Sequence, residues 1–280
     1  MKVLVTGVAG QLGHDVMERL AEMKIEAVGV DMADFDLTDG QAVMDAVCAC
    51  QPDAIIHCAA YTNVDGAESE PEKCVMANGM GTLNMVRAAL KVDAKLAFVS
   101  TDYVFDGEGD EPLATNAPCA ARNVYGLSKV QGEEAVRSLM TRYFIVRTAW
   151  VFGTNGNNFV KTMLRLGAER NEVRVVADQV GSPTYTRDLA RLLCDMIQTN
   201  KFGVYHATNE GYCSWAEFAA EIMQQAERRC RVVPITTAEY PTAARRPANS
   251  RLSKASLDAA GFSRLPSWQD ALARFLQELA

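Results

Sequence analysis

Tyr125 and Lys129 are the side chains of this 280-residue chain whose types and spacing first suggest chemistry. They lie four positions apart in a helical pattern, so they share one helix face and an ammonium lies near a phenol oxygen. An isolated tyrosine, with a pKa near ~10, transfers protons poorly at neutral pH until a positive neighbour stabilises the phenolate. Because this spacing also occurs by chance on exposed helices, the pair indicates proton transfer only within a suitable framework.

Ser100 and Thr101 supply part of that framework. They end a strand-like run, KLAFVS followed by threonine, that precedes the Tyr125 helix. In open α/β sheets, ligands bind at the carboxyl ends of the strands. We therefore expect Ser100 to lie beside a cofactor and Thr101 to donate a hydrogen bond to a substrate carbonyl oxygen. A strand-end cap is the alternative for Thr101.

Three glycines, Gly7, Gly10 and Gly13, follow an apolar strand and open a helical pattern. At this spacing the chain can turn tightly, and a pyrophosphate can approach backbone N–H groups at the positive end of the helix. A glycine-rich turn without a ligand is the alternative, but the flanking strand and helix favour a dinucleotide. We call residues 7–13 the glycine loop, and we expect Gln11 and Leu12 within it to contact the dinucleotide as well.

Asp31 ends the second predicted strand, 18 residues beyond Gly13. An acidic side chain there can accept hydrogen bonds from the adenosine ribose hydroxyls, and it would repel the 2′-phosphate of NADP. A turn or cap role is the alternative. Asp36 and Leu37 follow in a position to flank the adenine.

Strand patterns alternate with helical patterns through the first half of the chain. The predicted strands are 1–6, 25–30, 53–58, 95–100 and 143–146, and the predicted helices are 11–23, 40–50, 74–91 and 124–140. Nearly continuously apolar strands that alternate with helices indicate a parallel sheet covered on both faces. The prediction is an α/β fold, a Rossmann-type doubly wound parallel sheet with a smaller C-terminal α/β substrate lobe.

The pattern becomes less regular after Trp150. The predicted elements there are a helix at 158–168, a strand at 173–177, a helix at 187–198, a strand at 204–206 and two further helices. We predict a dinucleotide-binding domain at 1–150. Residues 151–280 are expected to be mainly a substrate-binding lobe, with segments at about 173–206 returning to the main sheet.

Composition narrows the classes of partner. The net charge of −7 and the lack of a Lys/Arg cluster argue against nucleic acid. No apolar run reaches the roughly 20 residues of a membrane span, and the N-terminus lacks a signal-peptide pattern. Eight scattered cysteines without a CxxC pair, and only three histidines, argue against zinc and favour free thiols in a reducing compartment. We expect a cytoplasmic protein with no membrane or nucleic-acid partner.

Taken together, the motifs resemble those of the extended short-chain dehydrogenase/reductase family and, within it, the dTDP-4-dehydrorhamnose reductases. The residues that carry the resemblance are GVAGQLG at 7–13, HCAAYTNVDGAE at 57–68, STDYVFDG at 100–107, NVYGLSK at 123–129, RTAWVFG at 147–153, NNFVKTM at 157–163, DQVGSPT at 178–184 and RRPANSRL at 245–252. Their order and spacing span essentially the whole chain.

The resemblance implies reduction of the 4-keto group of dTDP-4-dehydro-6-deoxy-L-mannose to dTDP-L-rhamnose, for cell-surface polysaccharide. NADPH or NADH would supply the hydride, since Asp31 favours NADH by charge but similar reductases often accept both. The implied catalytic residues are Thr101, Tyr125 and Lys129. Tyr125 protonates the ketone oxygen, Lys129 lowers the tyrosine pKa and holds the nicotinamide ribose, and Thr101 polarises the carbonyl.

The resemblance also implies two sets of contacts. The cofactor set after the third strand is Cys58, Ala59, Ala60 and Thr62. The sugar-nucleotide set is Asp102, Tyr103, Val104, Trp150, Asn158 and Arg246. Arginine suits a diphosphate because its planar fork donates hydrogen bonds in pairs. Core packing is the alternative for Trp150, and a helix cap is the alternative for Asn158.

Two other functions remain open. A nucleotide-sugar 4,6-dehydratase or 4-epimerase shares the glycine loop and the tyrosine–lysine pair, but dehydratases typically carry Thr-Asp-Glu where this chain has Thr101, Asp102 and Tyr103. A non-catalytic cofactor-binding subunit, like the reductase-like partner of a methionine adenosyltransferase, tends to lose the catalytic residues, which are present here.

Metal binding and oligomeric state are also undecided at this stage. Some relatives form a magnesium-bridged dimer, but the sequence offers no compelling carboxylate cluster. Asp15, Glu18 and Glu278 are interpreted as solvated charges on helix faces. The prediction is therefore no metal ligand, and a monomer or a homodimer.

Overall fold

The structure is a computed structural model that describes residues 1–279. Its strands are β1 (Lys2–Thr6), β2 (Glu26–Val30), β3 (Ala54–His57), β4 (Lys95–Thr101), β5 (Tyr143–Thr148), β6 (Val151–Phe152), β7 (Glu172–Val176), β8 (Val180–Gly181), β9 (Thr184–Tyr185), β10 (Gly203–His206), β11 (Cys213–Ser214) and β12 (Arg231–Ile235). Its helices are α1 (Gln11–Glu22), α2 (Gly40–Cys50), α3 (Val64–Ser69), α4 (Pro71–Val75), α5 (Gly81–Lys91), α6 (Val124–Leu139), α7 (Phe159–Glu169), α8 (Thr186–Ile197), α9 (Trp215–Gln225), α10 (Ala255–Ala260) and α11 (Trp268–Leu279). A π-helical turn at Met76–Met80 joins α4 to α5.

Six parallel strands form the central sheet in the order β10-β5-β4-β3-β1-β2. Alternate side chains of a strand point to opposite faces, so an apolar strand supplies two cores. In β1, Val3 and Val5 pack on the face covered by α1 and α8, whereas Leu4 packs on the face of α2, α5 and α6. The predicted fold class, a Rossmann-type doubly wound sheet with further α/β elements after it, is confirmed.

The second half adds short sheets around an aromatic core. Strands β7 and β12 pair in parallel, β8 pairs with β11, and β6 pairs with β9. Phe152, Phe218 and Phe275 are fully buried among these elements. This core lies apart from the two cores that cover the central sheet.

The predicted segments at about 173–206 divide between two sheets. The strand at Glu172–Val176 does not return to the main sheet, because β12 pairs with it along its whole length. Within that range, the strand that lies in the main sheet is β10, beside β5. Three helices, rather than two, follow β10, and α10 is only six residues long, too short to show helical periodicity in the sequence. The division at residue 150 stays a prediction.

All eight cysteines are free thiols, and four of them are buried. Cys119 is exposed. Among residues 1–279, no helix combines the length and the apolar character needed to cross a membrane.

Candidate active site

The glycine loop is shaped by its backbone. Gly7 has φ of +75°, a region that side chains with a Cβ rarely occupy, and a Cβ there would lie 2.8 Å from the backbone of Ala59. A Cβ on Gly13 would lie 2.2 Å from the carbonyl oxygen of Gly7. Helix α1 begins directly after Gly10, which has no side chain to cap it. The loop therefore presents the helix N-terminus of a dinucleotide phosphate site, and the residues present fit that group.

Asp31 lies at the end of β2, next to the glycine loop. Its Oδ2 accepts a hydrogen bond from the backbone N–H of Ala9 at 2.8 Å, and its Oδ1 accepts one from the N–H of Met32. These bonds hold the carboxylate beside the loop, where a ribose would lie. Asp36 accepts hydrogen bonds from the N–H and the hydroxyl of Thr38, so its carboxylate closes a local turn.

The segment after β3 lies against the glycine loop. The N–H of Ala59 donates a hydrogen bond to the Thr6 hydroxyl, at the end of β1. Cys58 and Ala60 are half-buried on either side of Ala59, and Thr62 is exposed. The carbonyl of Leu37 accepts a hydrogen bond from Asn84 of α5. The structure thus places Asp31 and Ala59 against the glycine loop, while the contacts of all the predicted cofactor residues with a cofactor stay a prediction.

Helix α6 and strand β4 bring the three predicted catalytic residues together. Asn123 caps α6 by accepting a hydrogen bond from the N–H of Gly126, which places Tyr125 in the first turn. Thr101 ends β4, and its hydroxyl is within hydrogen-bond reach of Tyr125. Lys129, one turn further along α6, is only 2% exposed, and its Nζ lies 4.1 Å from the ring centroid of Phe98.

Burial controls the proton affinities at this site. It raises the pKa of Tyr125, and the Asp102 carboxylate adds to this by repelling a phenolate, while a hydrogen bond with Thr101 acts in the opposite direction. Burial also lowers the pKa of Lys129 to about 8, against the field of Glu133. Desolvation of the phenol is thus the largest influence on the pKa of Tyr125, and the lowering expected from Lys129 stays a prediction.

The side chains of Asp102 and Val104 have partners within the protein, and their predicted contacts with a sugar nucleotide stay a prediction. The Asp102 carboxylate is 2% exposed and accepts hydrogen bonds from the hydroxyls of Thr101 and Ser250. Burial raises its pKa to about 6, although both hydrogen bonds oppose that rise. Val104 has no exposed surface and packs in a small core with Phe105. Both side chains are thus occupied inside the protein.

The side chains of Tyr103 and Arg246, which are 143 positions apart in the sequence, are in contact. An Arg246 Nη donates a hydrogen bond to the Tyr103 hydroxyl at 2.9 Å, and the other Nη pairs with Asp65. The Tyr103 ring packs edge-on against Tyr125, with centroids 5.6 Å apart. Together with the buried hydrogen bond between Asp102 and Ser250, these contacts form a cluster of side chains next to Tyr125. We call the residues Asp102, Tyr103, Arg246 and Ser250 the substrate wall.

Trp150 and Asn158 lie in the second half of the chain. Trp150 has φ of +51° and stacks on Trp215, with ring centroids 3.7 Å apart and planes 14° apart. Asn158 caps α7 through the N–H of Lys161, and its amide donates hydrogen bonds to the Gln11 side chain and to a backbone carbonyl. The cap interpretation therefore describes Asn158 better than a contact with the base or diphosphate.

The side chain of Gln11 has partners within the protein, and its predicted contact with a cofactor stays a prediction. Its Oε1 accepts hydrogen bonds from the N–H of Gly153 and from the Asn158 amide, both at 2.9 Å. The Asn155 amide donates to the carbonyls of Ala9 and Gly10. These bonds tie the glycine loop to the second half of the chain.

Several site residues escaped the sequence analysis. Ser250 lies within the RRPANSRL motif and could have been singled out there. Glu133 follows Lys129 at the same helical spacing that separates Tyr125 from Lys129, and this could have marked it as a neighbour. Asp65 lies within the HCAAYTNVDGAE motif and could likewise have been singled out, whereas Trp215 carries no local signal, because its partner Trp150 is remote in sequence.

The acidic side chains considered for a metal are partly paired within the protein. Ligand atoms of His14, Asp15 and Glu18 lie within 4.8 Å of one another. Asp15 is 2% exposed, so its interpretation as a solvated charge is wrong, and burial raises its pKa. The guanidinium of Arg187 pairs with both Glu18 and Glu278 at 3.1 Å. Arg187 thus neutralises the carboxylates of Glu18 and Glu278, which the sequence analysis interpreted as solvated charges.

Comparison with known proteins agrees with this geometry. The family model described as the RmlD substrate binding domain matches residues 1–280. A dTDP-4-dehydrorhamnose reductase of Escherichia coli is 38% identical over 100% of this chain and 98% of its own length. The spore coat polysaccharide biosynthesis protein SpsK of Bacillus subtilis is 39% identical over 99% and 97%.

Solved structures show the same relationship. The crystal structure of a dTDP-4-dehydrorhamnose reductase from Bacillus anthracis, in complex with NADP, has a TM-score of 0.97 and 44% identity, with 99% of each chain covered. The resemblance found in the sequence motifs is confirmed: the chain belongs to the RmlD substrate binding domain family, together with the dTDP-4-dehydrorhamnose reductases that it matches over their full length.

Proposed function

We propose that this chain is an NAD(P)H-dependent dTDP-4-dehydrorhamnose reductase, which converts dTDP-4-dehydro-6-deoxy-L-mannose into dTDP-L-rhamnose for polysaccharide biosynthesis. The observation that carries the proposal is the meeting of Thr101, Tyr125 and Lys129 at the carboxyl edge of the sheet that also bears the glycine loop. The names of the full-length relatives support the substrate, and the NADP complex of the Bacillus anthracis enzyme supports the cofactor.

In the proposed reaction, the bound dinucleotide supplies a hydride to the ketone carbon. Tyr125 donates its phenol proton to the ketone oxygen, so that the carbonyl becomes an alcohol and the tyrosine becomes a phenolate. The raised pKa of Tyr125 keeps the phenol protonated at neutral pH before the reaction. Lys129, as an ammonium, stabilises the phenolate, and solvent returns the proton.

Thr101 polarises the ketone in this scheme. Its hydroxyl donates a hydrogen bond to Asp102 at 2.9 Å in the structure. When a ketone is present, the same hydroxyl can turn and donate to the ketone oxygen, because a hydroxyl has a single proton to give. We propose that this exchange polarises the carbonyl in the direction of hydride attack.

The wall next to Tyr125 favours reduction over elimination. A dehydratase needs an acid and a base next to the sugar, and here the position after Asp102 is Tyr103, whose hydroxyl accepts from Arg246. The Asp102 carboxylate is held by two hydroxyls inside the protein. An epimerase or dehydratase and a non-catalytic cofactor-binding subunit are the alternatives that the following test separates.

The proposal also covers the roles of the two halves of the chain and the location of the protein in the cell. Residues 1–150 would bind mainly the dinucleotide and residues 151–280 mainly the sugar nucleotide, with Trp150 and Arg246 contacting the latter. A cytoplasmic location is supported by eight free thiols, which suit a reducing compartment. A monomer or a homodimer stays a prediction, as does the absence of a metal requirement.

Turnover measured with purified protein tests this function. The experiment follows the loss of nicotinamide absorbance with dTDP-4-dehydro-6-deoxy-L-mannose, with NADH and NADPH in parallel and with EDTA in a third series. Stoichiometric oxidation of the dinucleotide and formation of dTDP-L-rhamnose are expected. Binding of dinucleotide without consumption would instead favour the regulatory-subunit alternative, and sugar conversion without net oxidation would favour an epimerase or dehydratase.

A further inference from the structure

A buried ion pair lies beneath the candidate catalytic residues. Glu133 is 2% exposed and Arg147 is fully buried. Arg147 donates to both carboxylate oxygens, from Nε to Oε1 and from an Nη to Oε2, each at 2.7 Å. Such a bidentate pair has a well-defined geometry. Since a buried ion pair is often no more stabilising than apolar residues of similar volume, its presence calls for a role besides stability.

The ion pair joins the elements that carry the catalytic residues. Glu133 lies on α6, four positions after Lys129, and Arg147 lies near the end of β5. Ser100 precedes Thr101 on β4, and its hydroxyl donates to Glu133 Oε1 at 2.7 Å. One carboxylate therefore connects the helix that carries Lys129 with the strand that carries Thr101.

Arg147 extends this network to the long segment between β4 and α6. One Nη donates to the carbonyl oxygen of Thr115 at 3.1 Å, and the other lies 3.4 Å from the thiol of Cys119. The guanidinium also packs over the ring of Phe105, 4.8 Å from its centroid. The guanidinium thus fixes the segment that leads from the substrate wall to the catalytic helix.

Among the titratable groups around Lys129, Glu133 opposes the effect of burial most strongly. The other groups that raise the pKa of Lys129 are the thiols of Cys58, which follows β3, and Cys74, on α4, and burial raises the pKa of both thiols. The imidazole of His57, on β3, has a pKa lowered to about 3 by burial, so it is neutral at ordinary pH. Among the described residues, Glu133 is thus the carboxylate that lies one helical turn from the buried ammonium on the same face of α6.

We propose that Glu133, held in place by Arg147 and Ser100, is a positioning residue that keeps Lys129 protonated and ties helix α6 to strand β4. The inference rests on the proposed function, in which a charged Lys129 supports Tyr125 and the dinucleotide. It assigns a role in the reaction to a carboxylate that touches neither substrate nor cofactor. Glu133 is therefore an electrostatic support for the catalytic lysine, and Arg147 holds its carboxylate in place.

The test compares two substitutions that remove opposite charges from the same pair, Glu133→Gln and Arg147→Met. For each, kcat and NADPH affinity are measured from about pH 6 to about pH 10, a range that spans the titration of a buried lysine. Both quantities should fall as Lys129 loses its proton. In Glu133→Gln the midpoint should move down by about one pH unit, because the nearby anion is gone. In Arg147→Met it should stay in place or move up.

Two further variants separate the effect of charge on the titration of Lys129 from the effect on the stability of the fold. Each single substitution leaves one buried charge without its partner and should lower the melting temperature. The double variant Glu133→Gln/Arg147→Met should recover much of that loss, and its midpoint should lie at or between those of the two single variants. Arg137→Ala is the control, since Arg137 is exposed but also donates to Glu133 at 2.8 Å, and it should leave the midpoint unchanged.

Equal downward shifts in Glu133→Gln and Arg147→Met, or no shift in Glu133→Gln, would overturn the proposal, because a merely structural pair cannot distinguish the two signs of charge. NADPH affinity requires no keto sugar. Failure of the wild-type chain to reduce the sugar would therefore count against the proposed function alone, while the pH dependence of NADPH binding would still decide the role of Glu133.

Discussion

In the glycine loop the shape of the site comes from the backbone, whereas in the substrate wall it comes from pairs of side chains. A Cβ at Gly13 would lie 2.2 Å from the Gly7 carbonyl oxygen, so the loop tolerates almost nothing else. In the wall, Arg246 reaches Tyr103 and Ser250 reaches Asp102 across more than a hundred positions of sequence. We therefore expect the loop to bind a dinucleotide, a group common to many enzymes, and the wall to be specific for one substrate.

This difference leads to a general expectation. Changes in the loop should abolish dinucleotide binding whatever the substrate, while changes in the wall should alter substrate affinity and pH dependence but leave dinucleotide binding intact. Tyr125 lies between the two regions, and its loss should affect the chemical step alone. The following variants test these expectations, from the largest effect to the smallest.

Tyr125→Phe removes the proton donor and keeps the ring. We expect kcat to fall by roughly 10²- to 10⁴-fold, the usual contribution of a positioned proton donor. NADPH affinity, measured by fluorescence titration, should remain within about twofold because the phenol hydroxyl contributes to the chemical step. Tyr103→Phe is the matched control, since it removes a neighbouring hydroxyl that accepts from Arg246, and it should cost far less kcat. Comparable losses in the two variants would contradict the assignment of Tyr125.

Gly13→Ala places a methyl group against the Gly7 carbonyl. The loop must then shift, and we expect NADPH affinity to fall by roughly 100-fold, about 2.7 kcal/mol. Gly10→Ala is a graded comparison, because its Cβ would lie 3.2 Å from the same oxygen and should cause a smaller loss. Isothermal titration calorimetry measures both. An unchanged affinity in Gly13→Ala would show that the dinucleotide does not use this loop.

Asp31→Ser tests the electrostatic part of the loop. The carboxylate is held by the N–H of Ala9 next to the expected ribose, and its charge should disfavour a 2′-phosphate. Its removal should raise the ratio of NADPH to NADH kcat/KM by about tenfold, a change of about 1.4 kcal/mol. Steady-state kinetics with both cofactors gives the ratio directly, and a fall in the ratio would contradict this role.

Asp102→Asn tests the buried carboxyl of the wall. Its pKa in the folded chain, about 6, is above the ordinary value of 3.8, so the ionised form is disfavoured by folding. The wild type should lose this part of its stability as the pH rises from about 4 through about 6. We therefore expect the melting temperature of Asp102→Asn, relative to wild type, to improve over that interval and then level off. A constant difference between pH 4 and pH 8 would show that Asp102 is not the titrating group.

The features that the sequence predicts differ in the same way between the glycine loop and the substrate wall. The glycine loop, the parallel strands and the α6 pair depend on neighbours a few residues apart, so spacing and periodicity specify them. The pairing of β7 with β12, the burial of Asp102 and the hydrogen bond from Asn158 to Gln11 depend on contacts between remote segments. Spacing carries no information about those contacts. For that reason the motifs identified the residues near the site but not what several of their side chains bind.

The raised pKa of Tyr125 illustrates the limit most clearly. The four-residue spacing correctly placed an ammonium on the same helix face, but it could not show how deeply the phenol is buried. Burial, with the Asp102 carboxylate, outweighs the expected lowering. For a residue that donates a proton, this is consistent with the proposed direction of the reaction, because the phenol stays protonated until the ketone oxygen takes its proton.

Hydride transfer itself is the most direct test of the central claim that Tyr125, Lys129 and the glycine loop serve a net reduction. The measurement uses NADPH carrying deuterium at the transferred position of the nicotinamide ring, with dTDP-4-dehydro-6-deoxy-L-mannose as substrate and mass spectrometry of the sugar product. We predict one deuterium in dTDP-L-rhamnose, bound to the fourth carbon of the sugar, for each NADPH oxidised. A sugar product without deuterium, formed while NADPH stays reduced, would contradict the account.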